Sequence, residues 1–390
     1  MTSDERREKR YIRRKQERED KKSAFLKKYN DFSLVTDPNN LYKAFMKSKK
    51  GVSWKTSVQR YEINILRNIY ETINKLENGK NITMGFKEFY LKERGKIRKI
   101  KNVHIMERVV KKCFCDEVLV PLLSRFLIYD NGASIKNKGV SFSVKRLKTH
   151  LVKYYKKYKT NEGYCLQIDF TKYFDSIVHK HLMKMIKKYI TNKRILKLMN
   201  DFINSFGNGV SLGLGSQVSQ ISAVFYLNKI DHIIKEEYGV EFFSRYMDDL
   251  ILLFRSKKKA INILENITKE CSQIGIEINN RKTKINKIKD RISYLKGNYK
   301  LTESRKIIIT ANNESRKRMR KKLFKFNKLY KNGRISIKDI YTSYQSWRGT
   351  YRKRFSAFYT IKRMDSLYNK LFIYNHLEEN HGKGVFVESR

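Results

Sequence analysis

The sequence is poor in proline and cysteine and has no long apolar runs. It has only two prolines, Pro38 and Pro121, so no Pro-rich linker divides it and its helices can run long. Its four cysteines are too scattered for a disulfide framework, and Cys113-Phe114-Cys115 has no second Cys or His pair nearby to complete a zinc site. No apolar run approaches the roughly 20 residues of a membrane span, and no signal peptide is expected. We therefore expect buried or half-buried thiols, a reducing cytoplasmic location and no membrane partner.

Acidic residues are scarce relative to basic ones. The 390 residues include 87 Lys and Arg against 38 Asp and Glu, for a formal net charge of +49. This excess is far beyond what solubility requires and indicates a polyanionic partner. Charge alone does not separate nucleic acid from an anionic membrane, but the lack of long apolar runs favours nucleic acid.

The most informative stretch is an adjacent pair of carboxylates, Asp248 and Asp249, between two apolar, β-prone runs. The pattern predicts a hairpin with the aspartates at its turn. Two ionised carboxylates raise each other's pKa, so the pair is costly unless a cation offsets the repulsion. Mg²⁺, which prefers oxygen ligands, is the simplest candidate, and a solvated Asp-Asp turn is the alternative.

A second predicted strand, residues 164–168, delivers another carboxylate, because Asp169 follows at its end. Two strands that each bring an Asp to one sheet edge can clamp two divalent ions. Such ions stabilise the attacking and leaving oxygens of a phosphoryl transfer. The sequence therefore predicts a site for two ions at Asp169, Asp248 and Asp249, with Mg²⁺ expected and Mn²⁺ as the alternative.

These two motifs resemble the carboxylate motifs of reverse transcriptases. Asp169 with Phe174 is similar to the first, Tyr246-Met247-Asp248-Asp249 to the second, and residues 213–228 to the third palm motif. Residues from about 82 to 310 follow the family's order without a gap. The resemblance implies an α+β right-hand polymerase, with fingers, an antiparallel palm sheet packed on helices, and a helical thumb. It implies an RNA-directed DNA polymerase of the bacterial retroelement type, without maturase or endonuclease.

The resemblance also implies a domain division. We expect a basic extension at 1–56, fingers at 57–160, a palm at 161–310 with fingers helices at about 178–207, a three-helix thumb at 311–375 and a tail at 376–390. The first 22 or so residues carry charges of both signs. They are expected to form a solvated helix or a disordered arm, acting as a solubilising tail or as an RNA contact. No endonuclease, RNase H or protease region is expected.

Several residues are expected at the incoming deoxynucleotide. Lys96 and Arg98, in a predicted basic hairpin, can neutralise β- and γ-phosphate charge, and Arg can bind two oxygens at once. The Phe170 carbonyl is expected as an extra metal ligand. Gly215 and Tyr246 are expected to line the nucleotide pocket, since clustered glycine allows close approach of the backbone.

Two further residues are expected to act in chemistry and in sugar choice. Lys282 resembles the lysine of the family's fourth palm motif and would protonate the pyrophosphate leaving group or contact phosphate. Phe174 lies five residues after Asp169, where RNA-templated RNA polymerases tend to carry an Asp that reads the 2′-OH. A bulky ring there would collide with that hydroxyl, so deoxynucleotides are favoured. The neighbouring Tyr173 is expected to face the protein.

Basic residues elsewhere are candidates for nucleic-acid contact. The polar loop 131–139 resembles a loop of related bacterial enzymes, and the lysine-rich helix predicted at 142–158 suits contact with phosphates. Residues 312–371 predict three basic helices whose aromatics are mostly core, with two or three free to meet nucleic acid. The expected nucleic-acid-binding residues are Arg108, Lys136, Lys138, Lys145, Lys148 and Arg348.

One motif departs from the family pattern. Most reverse transcriptases carry Pro-Gln-Gly where this chain has Gly213-Leu214-Gly215, and Ser219-Gln220 follows. The missing glutamine removes a hydrogen-bond partner for the nascent base pair and leaves fidelity open. The pattern is more similar to enzymes of diversity-generating retroelements and of abortive-infection and defence-associated groups.

Alternatives to RNA-templated DNA synthesis remain open. They are RNA-templated RNA synthesis, template-independent nucleotidyl transfer, and a catalytically silent RNA-binding scaffold. The intact set of three aspartates argues against the scaffold, since a dead site has no need to hold like charges together. The leading hypothesis implies three kinds of partner: an RNA template, which can be a structured noncoding RNA, a DNA product, and dNTPs. An accessory protein or a second copy of the chain are further candidate partners.

Overall fold

The computed structural model describes residues 2–93, 96–355 and 357–374. The chain divides into two compact units, the first comprising Met1–Leu147 and Leu166–Ile285, the second Lys148–Cys165 and Asn286–Arg390. The predicted domain boundaries stay a prediction. Within the described ranges, no helix is both long and apolar enough to cross a membrane.

The first unit opens with five helices. A capping box formed by Thr2 and Glu5 starts the first of them. The fourth and fifth helices are separated at Asn64, whose backbone (φ −108°, ψ 34°) leaves the helical region. The five helices are α1 (Ser3–Tyr29), α2 (Ser33–Thr36), α3 (Pro38–Ser48), α4 (Thr56–Ile63) and α5 (Ile65–Glu77).

A basic antiparallel hairpin follows, as predicted. Its strands are β1 (Phe86–Glu93) and β2 (Lys96–Val103), with Phe86 opposite Val103. The chain then enters the buried helix α6 (Ile105–Phe114), a π-helical turn, α7 (Val120–Ser124) and the long helix α8 (Val140–Tyr158).

The central sheet has four strands in the order β4-β5-β3-β6. Leu250 to Phe254 are all buried, because β5 lies inside the sheet and packs on both faces. The strands are β3 (Tyr164–Ile168), β4 (Phe243–Tyr246), β5 (Asp249–Phe254) and β6 (Lys284–Lys287).

Helices enclose this sheet and share one apolar core with α2 to α7. The helical segment that begins at Gln217 is divided at Leu227 and ends in a π-helical turn. The helices are α9 (His179–Ile186), α10 (Lys193–Asn204), α11 (Gln217–Tyr226), α12 (Asn228–His232) and α13 (Lys257–Gln273).

The second unit contains a small three-stranded sheet and the three predicted basic helices. Its helical core includes Tyr344 stacked on Tyr368, with ring centroids 4.6 Å apart. Its elements are β7 (Ile292–Tyr294), β8 (Gly297–Leu301), β9 (Ile307–Ala311), α14 (Asn313–Lys331), α15 (Ile337–Arg354) and α16 (Phe358–Asn369). The exposed aromatics on these helices are Phe324, Tyr341, Phe358 and Tyr359.

The four cysteines are buried and form no disulfide, as predicted. Burial raises the pKa of the Cys113 thiol to about 12, and it likewise raises the pKa of Cys165 and Cys271. A buried thiol with a raised pKa is a poor nucleophile and a poor metal ligand. These cysteines therefore contribute to packing of the protein core.

Candidate active site

The Asp248-Asp249 pair lies where the hairpin prediction places it. Tyr246 pairs with Asp249, so Met247 and Asp248 form a two-residue turn between β4 and β5. Met247 has φ +58°, the left-handed backbone that tight hairpin turns require. Asp248 therefore sits in the turn and Asp249 begins β5.

A buried ion pair supports this turn. Arg245 and Asp231 are both fully buried, and the guanidinium donates to the Asp231 carboxylate at 2.6–2.9 Å. The same guanidinium donates to the carbonyls of Met247, at 2.9 Å, and Val224, at 2.8 Å. It thereby joins the turn to α11 and α12.

Sequence reasoning missed this ion pair. Its signal was an arginine in an apolar strand and an aspartate in an apolar helix, two opposite charges that burial would force to pair.

Asp169 follows β3, which lies beside β5 in the sheet. Its carbonyl accepts from the Asn279 N–H at 2.8 Å, and the Thr171 N–H donates to the Glu277 carbonyl at 2.9 Å. This pairing brings the loop after Asn279 alongside Asp169. The Lys282 Nζ consequently donates to Asp169 Oδ1 at 3.0 Å.

The three carboxylates share one electrostatic environment. Burial, together with repulsion from Asp248 and Asp169, raises the pKa of Asp249 to about 6, and Lys282 opposes this shift. Burial also raises the pKa of Asp248, with Asp169 adding to that effect and Lys282 and Arg245 opposing it. The folded chain therefore holds carboxylate charge that its own cations do not fully offset.

The donor chemistry of this site fits a hard divalent cation. Carboxylate and carbonyl oxygens are the ligands that Mg²⁺ and Mn²⁺ prefer. Among the described residues, no three His, Cys, Asp or Glu side chains are already grouped closely enough to hold an ion, and Asp169 bonds Lys282 instead. A divalent ion would offset the repulsion that, together with burial, raises the pKa values of Asp248 and Asp249.

Phe174 and Tyr173 occupy a 3-10 turn after Asp169 and have different surroundings. Tyr173 is buried, and its hydroxyl donates to the Ala223 carbonyl. Phe174 is half-buried and meets the Tyr173 ring edge-on, with centroids 5.9 Å apart. Tyr173 faces the protein as expected, and contact of Phe174 with a sugar stays a prediction.

Gly215 lines a cavity of about 390 Å³ formed with β2, α6 and the start of α11. It has φ +109°, and a Cβ on it would lie 3.7 Å from Ile100 and 3.8 Å from the Lys101 carbonyl. Arg108, Lys111 and Lys112 also line the cavity, which gives it a cationic wall. The structure thus brings predicted residues Gly215 and Arg108 to one cavity.

Three of the predicted nucleic-acid contacts have partners inside the protein. Arg108 donates to Asn102, and burial lowers the pKa of Arg108. Lys138 donates to the Tyr129 carbonyl at 2.7 Å. Arg348, in the second unit, is bound through two nitrogens to Asp365 at 2.9–3.2 Å.

The other predicted residues fall into three groups: exposed or half-exposed lysines, two buried or half-buried aromatics, and residues outside the described atoms. Lys136 and Lys145 are exposed, and Lys148 is half-exposed. Tyr246 is half-buried beside the aspartate turn, and Phe170 is buried and bridges to Ile278. Outside the described residues and side chains lie the expected phosphate ligands Lys96 and Arg98, the turn at 94–95 and the tail at 376–390.

The chain matches a known protein family. The model of the family "Reverse transcriptase (RNA-dependent DNA polymerase)" matches residues 90–297. No curated protein matches the chain.

Among solved structures, the chain is similar to Candida albicans telomerase in complex with a fragment of telomeric RNA, at 13% identity and a TM-score of 0.45, covering 67% of this chain and 52% of that one. It is also similar to apo telomerase from Candida tropicalis, at 12% identity and a TM-score of 0.46, covering 64% of this chain and 53% of that one. The chain spans about half the length of these structures.

The family match extends over more than half of the chain and includes Asp169, Asp248 and Asp249. The mixed helices and antiparallel strands confirm the predicted α+β class. The chain therefore belongs to the reverse transcriptase family of RNA-dependent DNA polymerases.

Proposed function

We propose that the protein extends a primer on an RNA template with deoxynucleotides, by phosphoryl transfer at Asp169, Asp248 and Asp249. The observation that carries the proposal is the placement of β3 beside β5, which brings three carboxylates into one electrostatic environment with Lys282. Like charges held together at a cost to folding are typical of catalytic sites.

Asp169 and Asp248 would hold the divalent ions, with Asp249 and the Phe170 carbonyl in support, and these bound ions would supply positive charge to the attacking and leaving oxygens. Arg245 holds the turn, and with it Asp248, in place through the Met247 carbonyl. Lys282 is oriented toward the site by its 3.0 Å bond to Asp169 and is proposed to give a proton to the departing pyrophosphate.

The test is primer extension by the purified chain on an RNA template, with dNTPs or NTPs and with or without Mg²⁺. We expect template-dependent incorporation of dNTPs that stops when the metal is chelated. Preferential use of NTPs would indicate an RNA polymerase, and additions that ignore the template sequence would indicate a nucleotidyl transferase. RNA binding with no incorporation under any metal would support the scaffold and contradict our proposal.

Replacing Phe174 with Ala should relax sugar selection. If the ring lies beneath the nucleotide sugar, an added 2′-OH meets aromatic carbon and loses its hydrogen bonds, which costs about 1–3 kcal/mol. We expect the ratio of ribonucleotide to deoxynucleotide incorporation to rise about tenfold. Competing single-nucleotide incorporation measures this ratio.

The matched control is Tyr173→Phe, which keeps the neighbouring ring and removes only the hydroxyl bonded to Ala223. It should leave the sugar ratio unchanged and lower stability modestly. A shift in the ratio at Tyr173 but not at Phe174 would show that the assignment is one residue out of register.

We further propose that the enzyme works in a bacterial retroelement or an antiphage defence system. The support is Gly213-Leu214-Gly215 in place of Pro-Gln-Gly, followed by Ser219-Gln220. The neighbouring genes test this proposal. A template repeat with a variable target gene would indicate the retroelement, and a noncoding RNA in a defence island would indicate the antiphage role.

A further inference from the structure

The first helix of the first unit packs little against the rest of that unit. α1 runs for 27 residues and none of them is buried. A helix that is polar on all sides gains little from packing, so other interactions must stabilise it. Here these include the capping box at Thr2, the Gln16–Asp20 hydrogen bond and the Arg13–Glu17 ion pair.

The C-terminal end of α1 is anchored firmly. The side chain of Asn30 donates to the Tyr189 carbonyl at 2.9 Å and accepts from the Thr191 N–H at 2.7 Å. The Arg125 guanidinium lies 4.2 Å from the centroid of the Phe25 ring. The preceding 20 or so residues form an exposed arm about 30 Å long, at 1.5 Å of rise per residue.

Basic residues are concentrated on one side of this arm. Arg7, Arg14, Arg18 and Lys22 recur at helical spacing and share one face with Tyr11. Six acidic residues also lie on α1. Asp4 is on the same side as Lys22, near the helix start, and Glu8 and Glu19 lie at the edge of that side. Glu5 accepts a hydrogen bond from the Thr2 N–H, and Glu17 and Asp20 pair with Arg13 and Gln16 on other sides of the helix. We call this surface the basic face of α1. Its members are Arg7, Arg10, Tyr11, Arg14, Arg18 and Lys22.

The side chains of the basic face, with Lys15 and Glu19 at its edge, form an open groove of about 560 Å³. From Arg7 to Lys22 the groove follows about 22 Å of helix, enough to face several consecutive phosphates. Arginine predominates, and its planar guanidinium binds phosphate through two donors.

We propose that the basic face of α1 binds the phosphate backbone of a double-helical RNA segment, as a binding site additional to the catalytic residues. A membrane surface would require large apolar residues on or beside this face, but Tyr11 is its only aromatic side chain. A second copy of α1 would bring like charges together. Single-stranded RNA is usually bound by several stacking aromatics, whereas a rigid helix rich in arginine suits a rigid duplex.

The test uses the full chain and two variants that lose the same charge. In the face variant, Arg7, Arg14, Arg18 and Lys22 are each changed to Gln. In the control variant, Arg6, Lys9, Arg13 and Lys27, on other sides of the same helix, are each changed to Gln. Glutamine has a helix propensity close to that of Arg and Lys, so circular dichroism should show unchanged helix content.

Binding is measured against salt for an RNA hairpin with a long duplex stem and for a single strand of equal length. We expect the face variant to bind the hairpin at least tenfold more weakly at physiological salt. Its slope of log K against log salt should be shallower by about 3, since each lost phosphate contact removes about 0.7–0.9. The control variant should stay within about twofold of the unmodified chain.

Equal losses in both variants would overturn the proposal, because they would indicate net charge alone. Weaker binding of the single strand but not of the hairpin would also overturn it, as would a face variant that binds both RNAs normally. A change of oligomeric state in the face variant, measured by sedimentation, would show that a second copy is the partner instead. The assay does not depend on catalysis, so a chain that lacks polymerase activity would leave this test intact.

Discussion

Replacing Asp248 with Asn should abolish nucleotide incorporation, lowering its rate by about a thousandfold or more. The carboxylate lies in the β4–β5 turn beside Asp249, in the same electrostatic environment as Asp169. Asparagine preserves the shape but removes the charge that would hold a divalent ion. Loss of several kcal/mol of transition-state stabilisation corresponds to about a thousandfold, since about 1.4 kcal/mol is a factor of ten. Single-turnover primer extension measures the rate.

The same substitution should not unfold the protein. Burial and the Asp169 carboxylate raise the pKa of Asp248, so its charge opposes folding in the absence of metal. We therefore expect Asp248→Asn to raise the midpoint of thermal unfolding of the metal-free chain while RNA affinity stays nearly unchanged.

The matched control is Asp175→Asn, an exposed carboxylate six residues after Asp169. It should retain near-normal incorporation. Asp169→Asn should abolish nucleotide incorporation, as Asp248→Asn does. DNA synthesis above background by Asp169→Asn or Asp248→Asn would contradict the assignment of these residues as metal ligands.

The second large effect is expected at Arg245. Changing it to Met leaves the Asp231 carboxylate buried without its cation, and breaking a buried ion pair costs about 3–5 kcal/mol. Val224 and Met247 also lose the donor to their carbonyls. We expect a large fall in the free energy of unfolding, measured by urea denaturation, together with loss of activity.

The double variant Arg245→Met, Asp231→Leu separates stability from positioning. Replacing both partners with apolar side chains removes the unpaired charge and should recover much of the lost stability. It does not restore the donor to the Met247 carbonyl, so the turn that carries Asp248 stays unsupported. We expect stability to recover more than the rate of incorporation. A double variant with normal stability and normal activity would show that Arg245 does not position the turn.

Features that depend on nearby residues could be predicted from the sequence. The apolar runs on either side of Asp248 and Asp249 specify a hairpin, because alternation, β-propensity and a two-residue turn act within a few positions. The three basic helices of the second unit follow in the same way from helical spacing. The predicted strand before Asp169 indicated in the same way that a third carboxylate could reach this sheet edge.

The contacts of individual charged side chains could not be predicted in this way. Nucleic-acid contact by Arg108, Lys138 and Arg348 stays a prediction. The sequence did not indicate that Asn102, the Tyr129 carbonyl and Asp365 accept hydrogen bonds from these side chains. Among 87 basic residues, composition shows that phosphate contact is available but not which side chain makes it.

The sequence by itself determined the local elements, the three aspartates and the basic character of the chain. Only the tertiary structure decided that Lys282 donates a hydrogen bond to Asp169, 113 residues away in the sequence. It also decided that Arg245 is buried against Asp231 and that the basic face of α1 is exposed. The physical reason is that an ion pair or a free surface depends on which elements pack together. Strand order and helix packing result from burial of the whole core, and no single segment encodes them.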